Sequence, residues 1–169
     1  VEVATGDRDL FQVIDDARHV RVLYCGRGVS KLEVMDDASV QAKYGVPAGG
    51  YADFAALRGD PSDGLPGVAG VGEKTAARLI ARHGDLDALL AALDDPSAGF
   101  APGLKAKLVA GREYLVKARQ VVRVAVDAPV PAVDCTMPRE PVDPDRLFAL
   151  AERWNLASPA KRMVDALCG

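Results

Sequence analysis

Apolar and polar positions change their rhythm twice along the chain. Residues 1–4 (Val-Glu-Val-Ala) and 20–24 (Val-Arg-Val-Leu-Tyr) carry the marks of strands, the first read as a buried one. Gly26-Arg27-Gly28 turns the second strand into a third over residues 31–35. Between the first two, Thr5-Gly6-Asp7-Arg8-Asp9 is a turn, and Leu10, Phe11, Val13 and Ile14 follow at helical spacing. Asp37 stands where it can cap a helix that reaches Lys43 or Tyr44 and closes at Gly45 and Pro47. A short helix over residues 50–57 ends at Gly59.

From Gly67 the helical period takes over. The pattern predicts a helix over Glu73–His83 closed by Gly84, a second over 86–93 capped by Asp85, and a long third over 104–120. The third carries Leu104, Leu108, Tyr114, Leu115 and Ala118 on one stripe. Residues 121–126 read as a strand, because β-branched residues alternate with Arg123 and Ala125. Residues 129–144 are proline-rich and extended. Helices over 144–154 and 159–167 close the chain, the last with Ser158 as cap and Pro159 at its first position, and Trp154 is expected in the core or as a wedge between elements.

The pattern implies an α/β class: a small sheet, then a mainly helical region. Three parts are expected: residues 1–66, residues 67–126, and a closing segment 127–169 that packs back on the core. With 169 residues, 49% of them hydrophobic, the chain can bury one sizeable core or two small ones. No apolar run approaches the roughly 18–20 residues of a membrane span, and no basic-then-apolar leader opens the sequence. Cys25, Cys135 and Cys168 are odd in number and far apart, which suggests neither a disulfide framework nor a zinc cluster and suits a reducing cytoplasm. With only His19 and His83, a histidine-rich metal site is excluded. A strand at residue 1 needs neighbours, so the chain is expected to be the rear part of something longer.

Charge is unevenly spread. Residues 1–66 carry 7 Lys/Arg against 11 Asp/Glu, whereas residues 67–126 carry 9 against 6. An acidic block joined to a basic helical block suits a metal-dependent enzyme that acts on a polyanion, although scattered surface charge would give the same split. The stretch Leu65-Pro66-Gly67-Val68-Ala69-Gly70-Val71-Gly72-Glu73-Lys74-Thr75-Ala76 is an apolar lead-in, a glycine-dense turn and a helix start. Such a turn brings free N–H groups and the positive end of a helix dipole close to an approaching phosphate. The arrangement resembles a helix-hairpin-helix, a sequence-independent grip on a nucleic-acid backbone.

Two pairs of carboxylates suggest the chemistry. Asp7 and Asp9 lie two apart in a turn after a strand, and Asp60 and Asp63 lie three apart, close to one helical turn. Four such groups could hold two divalent cations roughly 4 Å apart, and hard oxygen ligands suit Mg²⁺ or Mn²⁺. Taken singly, each pair reads first as ordinary turn chemistry.

Together the motifs are more specific. Thr5-Gly6-Asp7-Arg8-Asp9 with Phe11-Gln12, then Tyr44-Gly45-Val46-Pro47, then Leu57-Arg58-Gly59-Asp60-Pro61-Ser62-Asp63-Gly64-Leu65-Pro66-Gly67 running into Gly70-Val71-Gly72-Glu73-Lys74-Thr75-Ala76, resemble the bacterial 5′ nuclease family over residues 1–126. These are 5′→3′ exonucleases and flap endonucleases, free-standing or fused to DNA polymerase I. The resemblance implies the carboxyl half of a PIN-like nuclease core followed by a helix–three-turn–helix. It makes Asp7, Asp9, Asp60 and Asp63 catalytic, metal-site carboxylates for two or more Mg²⁺ or Mn²⁺ ions. It makes Gly67, Gly70, Gly72, Lys74 and Thr75 a DNA-binding turn able to hold a K⁺ ion on main-chain carbonyls, with Lys105, Lys107 and Arg112 as a basic surface along the duplex. The implied partner is DNA with a 5′ flap, a nick or a free 5′ end, met by a cytoplasmic monomer with no membrane association, in repair and replication.

Two departures stand out. Asn commonly follows the second Asp in the family, and Gly64 stands there in this chain. The family's upstream acids and basic arch have no counterpart in these residues, so chemistry by this stretch alone is doubtful. Two rivals remain open: a non-catalytic helix-hairpin-helix module, and a phosphotransferase with Asp7 as nucleophile, which would leave the hairpin unexplained.

Overall fold

The computed structural model describes residues 1–134, 136 and 138–168. Cys135, one of the cysteines considered above, lies outside the described residues. The chain divides into two compact units, residues 1–126 and a second from Asp127 to the end.

The first unit opens with a three-stranded sheet of order β1-β2-β3: β1 (Glu2–Thr5), β2 (Arg21–Tyr24) and β3 (Glu33–Met35). β1 runs parallel to β2, with Val3 opposite Val22 and Thr5 opposite Tyr24; β3 is antiparallel to β2, with Leu23 opposite Val34. The buried strand expected at residues 1–4 is instead a half-exposed edge. Only Val3 and Thr5 turn inward, while Val1 is 78% exposed. The helical spacing after Asp9 resolves into a 3₁₀ turn over Asp9–Val13, too short for an α-helix, which buries Phe11.

The helices α1 (Asp37–Tyr44), α2 (Tyr51–Arg58), α3 (Glu73–His83), α4 (Leu86–Ala92), α5 (Pro102–Ala110) and α6 (Arg112–Val122) complete the first unit. The cap of α1 is Asp36, not Asp37: its carboxylate accepts from the Ser39 N–H at 2.8 Å, while Asp37 accepts from the Ala48 N–H at 2.7 Å. Gly45 closes α1, and Asp85 caps α4 through the Ala88 N–H at 2.8 Å, as the sequence predicts.

The helix α2 is the hub. Every residue from Tyr51 to Leu57 is buried, so it presents no solvated stripe and packs against both α3 and α6. One apolar cluster therefore runs from Phe11, Val22 and Val40 through Phe54 and Leu57 to Ile80, Leu89, Leu108 and Leu115. The sheet and the helical region share that core. Asp53, also on α2, is 5% exposed, and its Oδ2 accepts from the Leu86 N–H at 2.8 Å across space, anchoring the start of α4.

Two expectations about the last helices of this unit fail. The single helix over 104–120 is two, broken at Gly111, where a Cβ would meet the Val68 side chain at 3.0 Å. Residues 121–126 do not form a strand. Helix α6 continues to Val122, because Leu115, Ala118 and Val122 fall on one buried helical stripe, and that burial outweighs β-propensity. Gln12 then holds the end of α6, donating to the Val122 carbonyl at 2.9 Å and accepting from the Val124 N–H at 3.3 Å.

The second unit contains α7 (Pro144–Arg153), capped by Asp143, and α8 (Ala157–Cys168), packed on each other. Ser158 lies inside α8 and is not its cap; its hydroxyl accepts from Arg162 at 2.8 Å. Trp154 is 61% exposed, against the expectation of a core position, with the Arg153 guanidinium 5.2 Å from its ring centroid. Among the described residues no helix is long and apolar enough to cross a membrane.

Candidate active site and nucleic-acid interface

The turn after β1 is built by short side chains bonding to their own backbone. The Asp7 N–H donates to Thr5 Oγ1 at 3.0 Å, and Asp7 Oδ1 accepts from the Asp9 N–H at 2.9 Å. Ordinary turn chemistry thus accounts for one oxygen of Asp7. The second acidic turn hangs from α2. Asp60 pairs with Leu65 as a small antiparallel bridge, and its carboxylate caps the 3₁₀ turn Pro61–Asp63 through the Ser62 N–H.

The two turns face one another. Asp7, Asp9, Asp60 and Asp63 line one cleft of about 380 Å³, together with Gly6, Arg8, Tyr24 and Ser62. The four carboxylates expected to act together are therefore brought together from loops more than fifty residues apart. They are not equivalent. Asp9 is pushed up to about 7 from an ordinary 3.8, first by burial, then by the charges of Asp63, Asp7 and Asp60 and a hydrogen bond to Asp63. Asp60 goes the other way. Burial opposes its ionisation, but the Ser62 hydroxyl and N–H and the Arg8 and Arg58 guanidiniums outweigh it and hold the carboxyl below its usual range.

Asp60 is 2% exposed. It accepts from Arg8 Nη2 at 2.9 and 3.2 Å, from Arg58 Nη2 at 3.1 Å, and from Ser62 at 3.1 Å (N–H) and 2.5 Å (hydroxyl). With Asp60 turned to the arginines, no three His, Cys, Asp or Glu side chains among the described residues converge in ligating geometry. Asp7, Asp9 and Asp63 line the cleft as hard oxygen donors, the type a divalent cation takes, without meeting in a ligating arrangement. Sequence reasoning missed Arg8, Arg58 and Tyr24. The one available signal was an arginine set between two aspartates in a turn.

The glycine turn sorts its residues into inner and outer sets. Gly67, at φ +73°, has its N–H taken by Tyr114 Oη at 2.9 Å, and a Cβ there would lie 2.4 Å from the Arg58 carbonyl oxygen. Its role is close packing, and its N–H is not free for a ligand. Gly70, also at φ +73°, is exposed, and its carbonyl accepts from Lys107 Nζ at 3.4 Å. Gly72 precedes α3 with nothing within 4 Å of a Cβ placed on it, and the neighbouring Lys74 is exposed. Gly70, Gly72 and Lys107 thus lie at the mouth of α3, while Lys74 lines another cleft with Lys43, Tyr44 and Gly45. Thr75 lies one step inside, lining a cleft with Arg78, Arg82 and Leu104, and Lys105 is half-buried near Asp95. Arg112 is turned away, to the Leu90 carbonyl and Asp94, both at 2.9 Å.

Comparison with known proteins identifies the family. The family model for the 5′-3′ exonuclease C-terminal SAM fold matches residues 46–145. A 5′-3′ exonuclease of Streptomyces coelicolor is 52% identical over 167 residues, covering 99% of this chain and 56% of that protein. One from Mycobacterium tuberculosis is 51% identical over 174 residues, covering 99% and 55%. DNA polymerase I of Mycobacterium bovis is 39% identical over 167 residues, covering 99% of this chain and 18% of the polymerase. The chain thus spans about half the length of the exonucleases it matches. The crystal structure of T5 D15 protein co-crystallised with metal ions shares the fold, with a TM-score of 0.59 over 72% of this chain and 42% of that one, at 18% identity. With a family model over more than half its length, this chain belongs to the 5′-3′ exonuclease family.

Proposed function

We propose that this chain is the carboxyl part of a divalent-metal-dependent 5′ nuclease that hydrolyses DNA phosphodiesters at a 5′ flap, a nick or a 5′ end. The observation that carries the reading is the crowding of Asp7, Asp9 and Asp63 around one cleft, with Asp9 driven up to about 7. Burial first, and the neighbouring carboxylates after it, disfavour the Asp9 charge, and a bound cation would relieve both. Asp7, Asp9 and Asp63 would hold Mg²⁺ or Mn²⁺, with Asp60 joining where Arg8 yields. Such an ion, when bound, supplies a hydroxide from water near neutral pH and charge stabilisation at the leaving oxygen.

The chain's own residues would orient the substrate. Gly72 leaves open space at the positive end of α3, Lys107 reaches the neighbouring Gly70 carbonyl, and Lys74 adds charge from the first turn of α3, a combination that suits a DNA phosphate without reading sequence. A K⁺ ion at this turn would share the Gly70 carbonyl with the Lys107 ammonium. We place the protein in the cytoplasm as a monomer acting in replication and repair.

The test is Asp63→Asn in the intact protein, on a labelled 5′-flap substrate with Mg²⁺ and a chelator control. Cleavage should fall by about a hundredfold or more with DNA affinity preserved. Turnover at the wild-type rate would sink the assignment. The rival, a DNA-binding module without catalysis, draws on the saturation of Asp60 by its donors. It requires that Mn²⁺ find no site at Asp7, Asp9 and Asp63.

A further inference from the structure

We propose that Arg8 is a tethered competitor for the cation cleft: its guanidinium and a divalent cation claim the same Asp60 oxygens, so Arg8 sets how readily the cleft takes up metal. The inference rests on the cleft being the cation site, as proposed above.

The argument starts from capacity. A carboxylate offers about four lone-pair sites. Asp60 accepts from four donor atoms: Arg8 Nη2, which spans both oxygens, Arg58 Nη2, and the N–H and hydroxyl of Ser62. Nothing is left for a metal unless a donor leaves. Ser62 belongs to the turn that Asp60 itself caps, so its bonds hold as long as the turn does. Arg58 is fixed as well: it is 15% exposed, lies 5.0 Å from the Phe54 ring centroid, and donates from Nε to the Gly59 carbonyl at 3.1 Å. Arg8 is the displaceable partner. It is 33% exposed, it comes from the opposite turn, and its side chain spans the cleft to reach Asp60.

Charge follows the same division. Among the described residues, Asp7, Asp9 and Asp63 form no ion pair, while Asp60 forms two. Arg8 therefore spends its charge on the one acid that could complete the set, and lowers the cleft's pull on any second cation. A guanidinium cannot be titrated away near neutral pH, so this competition is permanent.

Mn²⁺ titration by calorimetry, with electron paramagnetic resonance as an independent count of bound ion, tests this on the intact protein. Four forms are compared: wild type, Arg8→Met, Arg8→Lys and Asp9→Asn. Arg8→Met should bind Mn²⁺ on the order of tenfold more tightly. Arg8→Lys, which keeps the charge, should stay within about threefold of wild type. Equal or weaker binding by Arg8→Met overturns the proposal, as does an identical gain in both Arg8 variants, which would point to packing rather than charge. Asp9→Asn should lose most binding; full retention there would overturn the cleft assignment, and this proposal with it. Should Arg8→Met fail to fold, Arg8→Gln, neutral and still a donor, carries the same expectation.

Discussion

Replacing Asp9 with Asn should remove a pH dependence from the stability of the first unit. Burial, then the charges of Asp63, Asp7 and Asp60 and a hydrogen bond to Asp63, push the Asp9 carboxyl up to about 7 from 3.8. The folded state thus holds this proton after the unfolded chain has shed it. Between about pH 4 and pH 7 the folded state carries more protons, so stability falls as pH rises, then levels off above pH 7. The full difference corresponds to about 4 kcal/mol. Asp9 is only half-buried, and solvent screening reduces this to about 1–2 kcal/mol. In melting temperature that is about 3–6 °C for a chain of this size. Thermal melts of wild type and Asp9→Asn from pH 4.5 to 8.5, in chelator, would show it: the gap between the curves should open across the window and favour Asn at pH 8. Adding Mn²⁺ to wild type at pH 8 should recover much of the loss, because a ligand of the folded state stabilises it. Parallel curves across the whole range would refute the reasoning.

Other substitutions separate the inner and outer faces of the hairpin. Gly67→Ala puts a methyl 2.4 Å from the Arg58 carbonyl oxygen at φ +73°, and should cost about 2–4 kcal/mol in urea unfolding. Gly72→Val meets open space on an extended backbone, so stability should change by less than about 0.5 kcal/mol. Its branched side chain should nonetheless weaken duplex binding without sequence preference, and binding by the parent should fall steeply with salt. A Gly72→Val protein that folds and binds flap DNA as the parent does would contradict the interface.

The two acidic turns were legible because their folding is local. Asp-x-Asp after a strand and Asp-Pro-Ser-Asp before a glycine turn each fold within a few residues, and the structure sets them across one cleft. The position of Gly72 at the mouth of a helix was legible for the same reason. Gly67 looked identical in sequence, yet its surroundings come from Arg58 and Tyr114, whose approach no local pattern announces. Arg8 finds Asp60 fifty-two residues on, and Asp53 caps a helix thirty-three residues away. The break at Gly111 depends on Val68, and the helical end at Val122 on a buried stripe that overrode a run of β-branched residues. In each case the deciding contact was tertiary.

The close approach of Gly59 and Gly67 has a mechanical consequence. The backbone passes itself there, with Gly59 N 2.7 Å from where a Cβ on Gly67 would sit and the Val68 N–H bonded to the Leu57 carbonyl at 3.0 Å. Residues 60–66 are therefore a small noose drawn tight, its neck narrowed again by the Asp60–Leu65 bridge. Asp60 and Asp63 ride on the noose, and the hairpin leaves directly from its knot. Under the proposed function, a strand of DNA held at the Gly70–Gly72 turn would load this knot within a few residues, with no long spacer to absorb the pull. On that reading the crossing would set the spacing between the held phosphate and the Asp60–Asp63 turn, like the throw of a hinge pinned at a single rivet.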